Sequence, residues 1–328
     1  MTTLAGENRT VYNRKSIKDY QEYNLDPLSQ IISLLKPQAV GWRVVEAHDA
    51  WTISYRPTDV VVFGQVIEGN CLVEREDGIS FDLEAGDFLL MAAPPNWTMA
   101  ACGGGAPVDF KAAIENPALL LSPAQPGHVT RFIAGNFAFA AANRDLISTL
   151  MLPIIHVRKK EIAAQRLGAI LAFLGDEAIA DRPGRSLVLD RLLEVMLIEA
   201  LRYRPAEIGD AGRGLLAGLA DPKIGRALRI MHADTSQPWT LVALAREVGM
   251  SRSALASRFA QIVGVPPIEY LANWRMTLAK SALATSEVPM TEIAEIAGYQ
   301  SVSAFSTAFK RETGLSPSFY ARSLQQSV

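Results

Sequence analysis

Cysteine and histidine are scarce in this chain, at two and four of 328 residues, and their scarcity removes several kinds of chemistry. Cys71 and Cys102 make neither a disulfide framework nor a CxxC metal spacing, and nothing cationic beside them favours a thiolate; packing is their expected role, with redox sensing the minor reading. His48, His128, His156 and His232 lie too far apart for any two to share ligand spacing, so neither metal nor cofactor is expected. No stretch approaches the roughly 18 to 20 unbroken apolar residues of a membrane helix, and Met1 to Lys18 is polar with no apolar h-region. A cytoplasmic protein with no membrane partner is the expectation. Charge of one sign is also lacking: 32 Lys plus Arg against 34 Asp plus Glu leave a net charge of −2. The remaining composition, 49% apolar and 20% charged, belongs to a globular chain with room for two or three domains.

What is present is a repeat. Ala245, Gly249, Phe259, Gly264, Pro267 and Tyr270 are followed about fifty residues later by Ala294, Gly298, Phe309, Gly314, Pro317 and Tyr320, and only the gap from the first Gly to the Phe differs, by one residue. Each copy reads as a helix-turn-helix. In the first, over 240–263, Thr240 caps a helix carrying Leu241, Leu244, Ala245 and Val248, and Gly249 ends it in the left-handed conformation that other residues resist. Ser251 then caps a second helix with Leu255, Phe259 and Ile262 inward and Arg252, Ser253, Ala256, Ser257 and Gln261 outward. In the second, over 290–313, Ile293, Ala294 and Ala297 pack the leading helix, Gly298 ends it, and Ser301 caps a helix that buries Phe305 and Phe309 and turns Val302, Ser303, Ser306, Thr307 and Lys310 outward. Small and polar outward residues suit a helix that lies in a major groove about 12 Å wide. An all-α domain with incidentally polar faces is the competing reading, and the repetition argues against it.

These motifs, with Trp239-Thr240-Leu241, Trp274-Arg275-Met276, Ile293-Ala294-Glu295-Ile296-Ala297-Gly298-Tyr299 and Gly314-Leu315-Ser316-Pro317, make residues 221 to 322 resemble the AraC/XylS-type bacterial transcription regulators. The resemblance implies an all-α domain in which two helix-turn-helix units are joined by a long helix, here Pro267 to about Ala284, and two recognition helices enter successive major-groove segments of promoter DNA. By position, the family's base-reading residues fall on Ser253, Ala256 and Ser257 and on Val302, Ser303 and Thr307. Several of these are short, which shifts reading towards Arg252 and Gln261; Ser301 and Lys310 complete the candidate set. Charge points the same way: residues 221 to 328 hold 11 Lys plus Arg against 8 Asp plus Glu, and residues 1 to 220 hold 21 against 26. The excess is small, so binding through phosphates alone should be weak and salt dependent.

Residues 1 to 140 read as mostly β. After a helix opened by Asp26-Pro27 and running to about Leu35, strands are expected at Trp42 to Glu46, Trp51 to Tyr55, Val60 to Ile67, Cys71 to Glu76, Ile79 to Leu83 and Asp87 to Met91, broken at Glu68-Gly69-Asn70, Glu76-Asp77-Gly78 and Glu84-Ala85-Gly86-Asp87. Many short strands argue for a sandwich or barrel. The stretch from Gly69 through Gly86-Asp87 resembles a cupin barrel, and the Asp26-Pro27-Leu28 opening is similar to the cupin-like effector domains that precede AraC-type DNA-binding domains. Cupin enzymes hold a metal through a His-x-His pair, a Glu and a later His; by position the later His is Trp97 here. The resemblance therefore implies a barrel without metal whose cavity suits one small effector, with Trp51, Tyr55, Phe63, Trp97 and Phe110 as candidate lining residues or plain core.

Residues 141 to 206 carry two helical patterns, Ile162 to Leu174 and Ser186 to Arg204, with Asp181-Arg182-Pro183-Gly184 a loop between them. The second has a main stripe of Leu189, Leu192, Leu193, Met196, Leu197 and Ala200, and further apolar residues Val195, Ile198 and Leu201 among charged ones. A helix apolar on more than one face is fully buried or shared, so Val195, Ile198 and Leu201 are the candidate seam of a homodimer. Residues 207 to 220, Gly-rich at the start, read as a linker. The fold class is thus α+β: a cupin-like β-barrel, a helical dimerisation segment and a double helix-turn-helix domain. The function expected is promoter binding under control of a small-molecule effector, with RNA polymerase as a further partner of an activator. A constitutive regulator whose barrel serves only dimerisation is the alternative. An enzyme fits poorly, since cupin catalysis lacks its ligands and two isolated cysteines cannot supply alkyl-transfer repair.

Overall fold

Helix α1, Pro27–Leu35, begins for a local reason: Asp26 accepts the backbone N–H groups of Leu28 and Ser29 at 3.0 and 3.2 Å, and Pro27 takes the first helical position, where no N–H is needed. Burial alone would push the Asp26 carboxyl up, but the Ser29 hydroxyl and the two N–H groups outweigh it and hold Asp26 below the usual range. The structure, a computed structural model, describes residues 26–101, 103–116, 118, 128–139, 153–180, 182–203, 214–285 and 288–325; Cys102 and the Gly-rich stretch 207–213 lie outside the described residues.

Among the described residues ten strands follow in two five-stranded sheets. One sheet has the order β1-β9-β3-β6-β10, from Gln38–His48, Val129–Ala138, Val61–Glu68, Phe88–Ala92 and Ile154–Val157; the other has β5-β4-β7-β2-β8, from Ser80–Glu84, Asn70–Arg75, Trp97–Ala100, Thr52–Tyr55 and Pro107–Asp109. The six expected strands all form, within a few residues of the expected ends. The closed barrel does not: no ladder joins the two sheets among the described residues, and they face one another as a sandwich. Helix α2, Phe110–Glu115, follows β8 and is capped by Asp109.

Strand β6 of the first sheet is buried on both faces, which explains why it, Phe-Leu-Leu-Met-Ala, reads as a continuous apolar run. Residues alternate strictly: Val61, Phe63, Phe88, Leu90, Ile133 and Phe137 turn to a core shared with helices, whereas Val66, Leu89, Met91 and Phe132 turn to the opposing sheet, into a core with Ile53, Cys71, Val73, Leu83, Trp97 and Met99. Helices α3, Ile162–Ile179, and α4, Arg185–Arg202, cover the first face together with α1.

The expected linker over 207–220 is not one throughout. Leu215–Ala220 is a helix, α5, whose Leu215 is buried; a Cβ on Gly218 would stand 2.8 Å from Leu228 and 2.9 Å from Val263, and the Gly214 N–H donates to the Ile262 carbonyl at 2.8 Å. This segment packs as part of the DNA-binding domain. Helices α6 Pro222–Ala233, α7 Leu241–Glu247, α8 Arg252–Val263, α9 Pro267–Thr285, α10 Met290–Ile296, α11 Val302–Thr313 and α12 Pro317–Gln325 complete that domain. Its two halves have different cores. Tyr270, Leu271 and Trp274 of α9 join the core that runs into the N-terminal domain, while Met276, Ala279 and Leu283 pack with Ile293, Ala294, Phe305 and Phe309 in a separate one.

Candidate DNA interface and interior cavity

Both turns close in the same way. The Met250 N–H donates to the Ala245 carbonyl at 2.9 Å and the Gly249 N–H to Arg246 at 3.2 Å; the Tyr299 N–H donates to Ala294 at 2.8 Å and the Gly298 N–H to Glu295 at 2.8 Å. This paired closure needs a left-handed residue at one position, and Gly249 and Gly298 supply it at φ 62° and 75°. The extra residue of the second copy lies after the glycine, where Tyr299-Gln300 replaces Met250. Thr240 caps α7 through Ala243 at 3.1 Å, and Ser251 and Ser301 cap the recognition helices α8 and α11 through Ala254 and Ala304, each at 3.2 Å. Both recognition helices have 12 residues.

Arg252, Ser253, Ser257 and Gln261 on α8, and Ser303, Thr307 and Lys310 on α11, are exposed; Ala256 and Val302 are half-buried, Val302 against the second core. The Ser301 hydroxyl accepts in its cap and the Thr307 hydroxyl donates to the Ser303 carbonyl at 3.0 Å. Arg258 is not available to read bases, because Nε and a terminal nitrogen donate to Asp221 at 3.0 and 2.6 Å. Asp221 also caps α6; burial pushes it up, but the Ile224 N–H, Arg258 and the Lys223 N–H together hold it below the usual carboxylate range. One residue to which the sequence gives no role of its own ties the two units together. Arg275, midway along α9, donates to the carbonyls of Thr235 and Gln237 at 2.6 Å each, and its guanidinium lies where a Cβ on Gly298 would be, 2.6 Å from its carbon. Burial lowers its pKa against the opposing pull of Tyr299 and Asp234. Its motif, Trp-Arg-Met, stands in the sequence, but nothing local says that it clamps one turn against another.

Between the two sheets lies a cavity of about 600 Å³. Tyr55, Trp97 and Phe110 line it as one aromatic group, Tyr55 stacked on Trp97 at 3.8 Å with 3° between planes and 4.8 Å from Phe110. Of the other two candidates, Trp51 precedes β2, is 3% exposed and stacks on Phe132 at 5.8 Å, outside the lining. Phe63 is among the lining residues, although its ring also packs on Phe137 in the helix-facing core. Among the described residues no group of three or more His, Cys, Asp or Glu side chains could hold a metal ion, and Trp97, matched by sequence position to the metal histidine, offers no ligand atom. The residues do not fit that metal. His156 instead meets Asp87 at 3.1 Å, and Cys71 is buried with its thiol pushed up to about 12 by burial, Asp87 and Asp82, far from a reactive thiolate.

Of the proposed seam, Val195 is exposed and Ile198 half-buried, but Leu201 is 3% exposed. Leu201 packs where α1 and α4 meet α5, beside Leu28, Leu216 and Leu219, so this face of α4 is used by the chain's own DNA-binding domain. The same junction holds a polar contact. His232 Nδ1 lies 2.9 Å from Gln30 Oε1 and Nε2 lies 2.7 Å from the Tyr270 hydroxyl, linking α1 to α6 and α9. Because Gln30 Oε1 can only accept, Nδ1 carries the proton and Nε2 accepts from Tyr270.

Residues 26–204 match the Cupin family and residues 244–323 the helix-turn-helix domain family. An AraC-like transcription regulator of Streptomyces antibioticus is 33% identical over 91% of this chain and 99% of its own length, and one of Streptomyces lividans is 34% identical over 91% and 98%. The HTH-type transcriptional regulator AlkR of Acinetobacter baylyi is 27% identical over 90% and 99%. The solved structure of ToxT from Vibrio cholerae aligns over 86% of this chain and 98% of its own at 14% identity, with a TM-score of 0.33. No helix among the described residues is long and apolar enough to cross a membrane. A cupin-type sandwich joined to two matched helix-turn-helix units, in a chain alike over nearly its whole length to these regulators, makes this protein a DNA-binding transcription regulator of the AraC-like family.

Proposed function

We propose that this regulator is ligand responsive: a small molecule occupies the cavity between the sheets and alters how α8 and α11 are presented to promoter DNA. The observation that carries the reading is the cavity itself, about 600 Å³ and walled by Tyr55, Trp97 and Phe110, a size and lining that suit one small organic molecule. On the DNA side, Arg252, Ser253, Ser257 and Gln261 read one groove segment and Ser303, Thr307 and Lys310 the next, with Ser301 and Val302 shaping the helix start and Ala256 offering a small contact. The 19-residue α9 spans about 28 Å at 1.5 Å per residue, close to the groove repeat of about 34 Å. The active particle is a cytoplasmic homodimer, and an activator would also meet RNA polymerase. Leu187, Val188 and Val195 support the dimer, since they leave 59%, 42% and 46% of their surface exposed on α4. The role is regulatory rather than enzymatic, in keeping with relatives that are transcription regulators.

The test is thermal unfolding of the full chain against a metabolite library, combined with promoter binding by fluorescence anisotropy. A true effector at a hundred times its Kd adds about 2.7 kcal/mol of stability and changes promoter affinity. Intact promoter binding with no compound shifting Tm would favour the constitutive alternative.

A further inference from the structure

The inner face of the first sheet has an unusual composition where the cavity lies. Side chains at Gly41, Arg43 and Val45 on β1 pair across to Asn136, Ala134 and Phe132 on β9, and these to Val62, Gly64 and Val66 on β3. Two glycines and an alanine leave the floor of the cavity open. Arg43 shares its side of β1 with Val45 and Ala47, which pack in the inter-sheet core, and it lines the cavity while remaining exposed, so it stands at the cavity's open side. It has no ion pair or hydrogen bond among the described residues. Its diagonal neighbour across the ladder is Asn136, whose Oδ1 is buried without a partner; such neighbours lie roughly 7 to 8 Å apart, within reach of a long side chain.

The other charged lining residues are Arg56, Asp109 and Lys111. Asp109 is already committed: it accepts from the Lys111 N–H at 3.0 Å and from Arg56 Nε at 3.3 Å, and chiefly the N–H, with Arg56, holds its carboxyl below the usual range. Arg43 and, at the rim, Lys111 are therefore left with positive charge facing an otherwise apolar space. An empty cavity lets water solvate Arg43. A neutral apolar occupant would leave the guanidinium with water alone, whereas a carboxylate offers two coplanar oxygens to its fork; Asn136 Oδ1, itself an acceptor, takes no bond from a carboxylate.

We propose that the effector is an organic monocarboxylate, its carboxylate on Arg43 and its apolar body against Tyr55, Trp97 and Met91. This rests on the cavity's being the effector site. The experiment measures binding of phenylbutyrate, phenylhexanoate and decanoate, each beside its methyl ester, to the full chain by calorimetry. The acids should bind at least about tenfold more tightly than their esters, and Arg43→Met should erase that preference while keeping ester binding. Ala134→Leu, which fills the floor, should abolish both; Val62→Phe serves if that variant does not fold. Esters that match acids, or acids that keep their affinity in Arg43→Met, overturn the carboxylate. If in that case Ala134→Leu still abolishes binding, the cavity remains the effector site. Binding that persists in Ala134→Leu, or no binding by any probe, removes both.

Discussion

Acid should separate the N-terminal domain from the first helix-turn-helix unit through His232. The imidazole is 3% exposed, between Gln30 of α1 and Tyr270 of α9, with its ring 4.4 Å from that of Trp274. Burial pushes its pKa down from 6.5 to about 3, against a small opposing pull from Asp26. A base with a depressed pKa stabilises the packed state fully above its free value; that stability is lost as pH falls from about 6.5 towards 3, at about 1.36 kcal/mol per unit. At pH 5 the loss is thus about 2 kcal/mol, a large share of the stability of an ordinary domain. The assay is urea unfolding of wild type and His232→Gln between pH 7 and pH 5, with small-angle scattering to detect separation of the domains before either unfolds. Carboxylates titrate equally in both proteins, so the difference between the two slopes isolates His232. Parallel stability curves would show that His232 is not held neutral by this packing.

Gly249→Ala and Gly298→Ala should differ, although both glycines sit at positive φ in equivalent turns. The first pays only the left-handed penalty, about 1 kcal/mol, because nothing lies within 4 Å of its Cβ; the second must also displace the Arg275 guanidinium, so it should lower Tm further and weaken promoter binding more. Equal effects would mean that Arg275 yields freely. Val195→Glu should give a folded monomer by light scattering, since Val195 is 46% exposed, whereas Ile198→Glu should mainly destabilise the fold because Ile198 packs on the core; a dimeric Val195→Glu places the seam elsewhere.

The helix-turn-helix units were legible because their chemistry is local. The four-residue step from Ala245 to Gly249 and from Ala294 to Gly298 is the step from the accepting carbonyl to the left-handed residue of one turn closure, so spacing and identity together report geometry. Asp26-Pro27 is equally local. What stayed hidden depends on distance along the chain. Strand β9 pairs residues 129–138 with 38–48 and 61–68, a contact no local pattern announces. In β3 both faces are apolar, so alternation gives no sign that Phe63, a lining residue of the cavity, also packs in the helix-facing core. Leu201 failed similarly. Its second apolar face is real, but the partner is α5 of the same chain, in a stretch whose glycines suggested a linker.

The two cores of the DNA-binding domain set what an effector could accomplish. The first unit shares its core with the sandwich: α1 packs against α4 and α6 and meets α6 through Gln30 and His232. The second unit touches none of this core and is carried by α9, with Arg275 fixing its turn to the first unit. A ligand moves an equilibrium only by its difference in affinity for two arrangements. Strands β3 and β9 have one face on the cavity and the other on the core they share with α1, α3 and α4, so an occupant that shifts them has a route through that core to α1 and the first reader. It has no comparable route to the second reader except along α9. Any response should therefore alter the angle and spacing between the readers more than the internal structure of either, because each core is closely packed and α9 crosses from one to the other at Arg275.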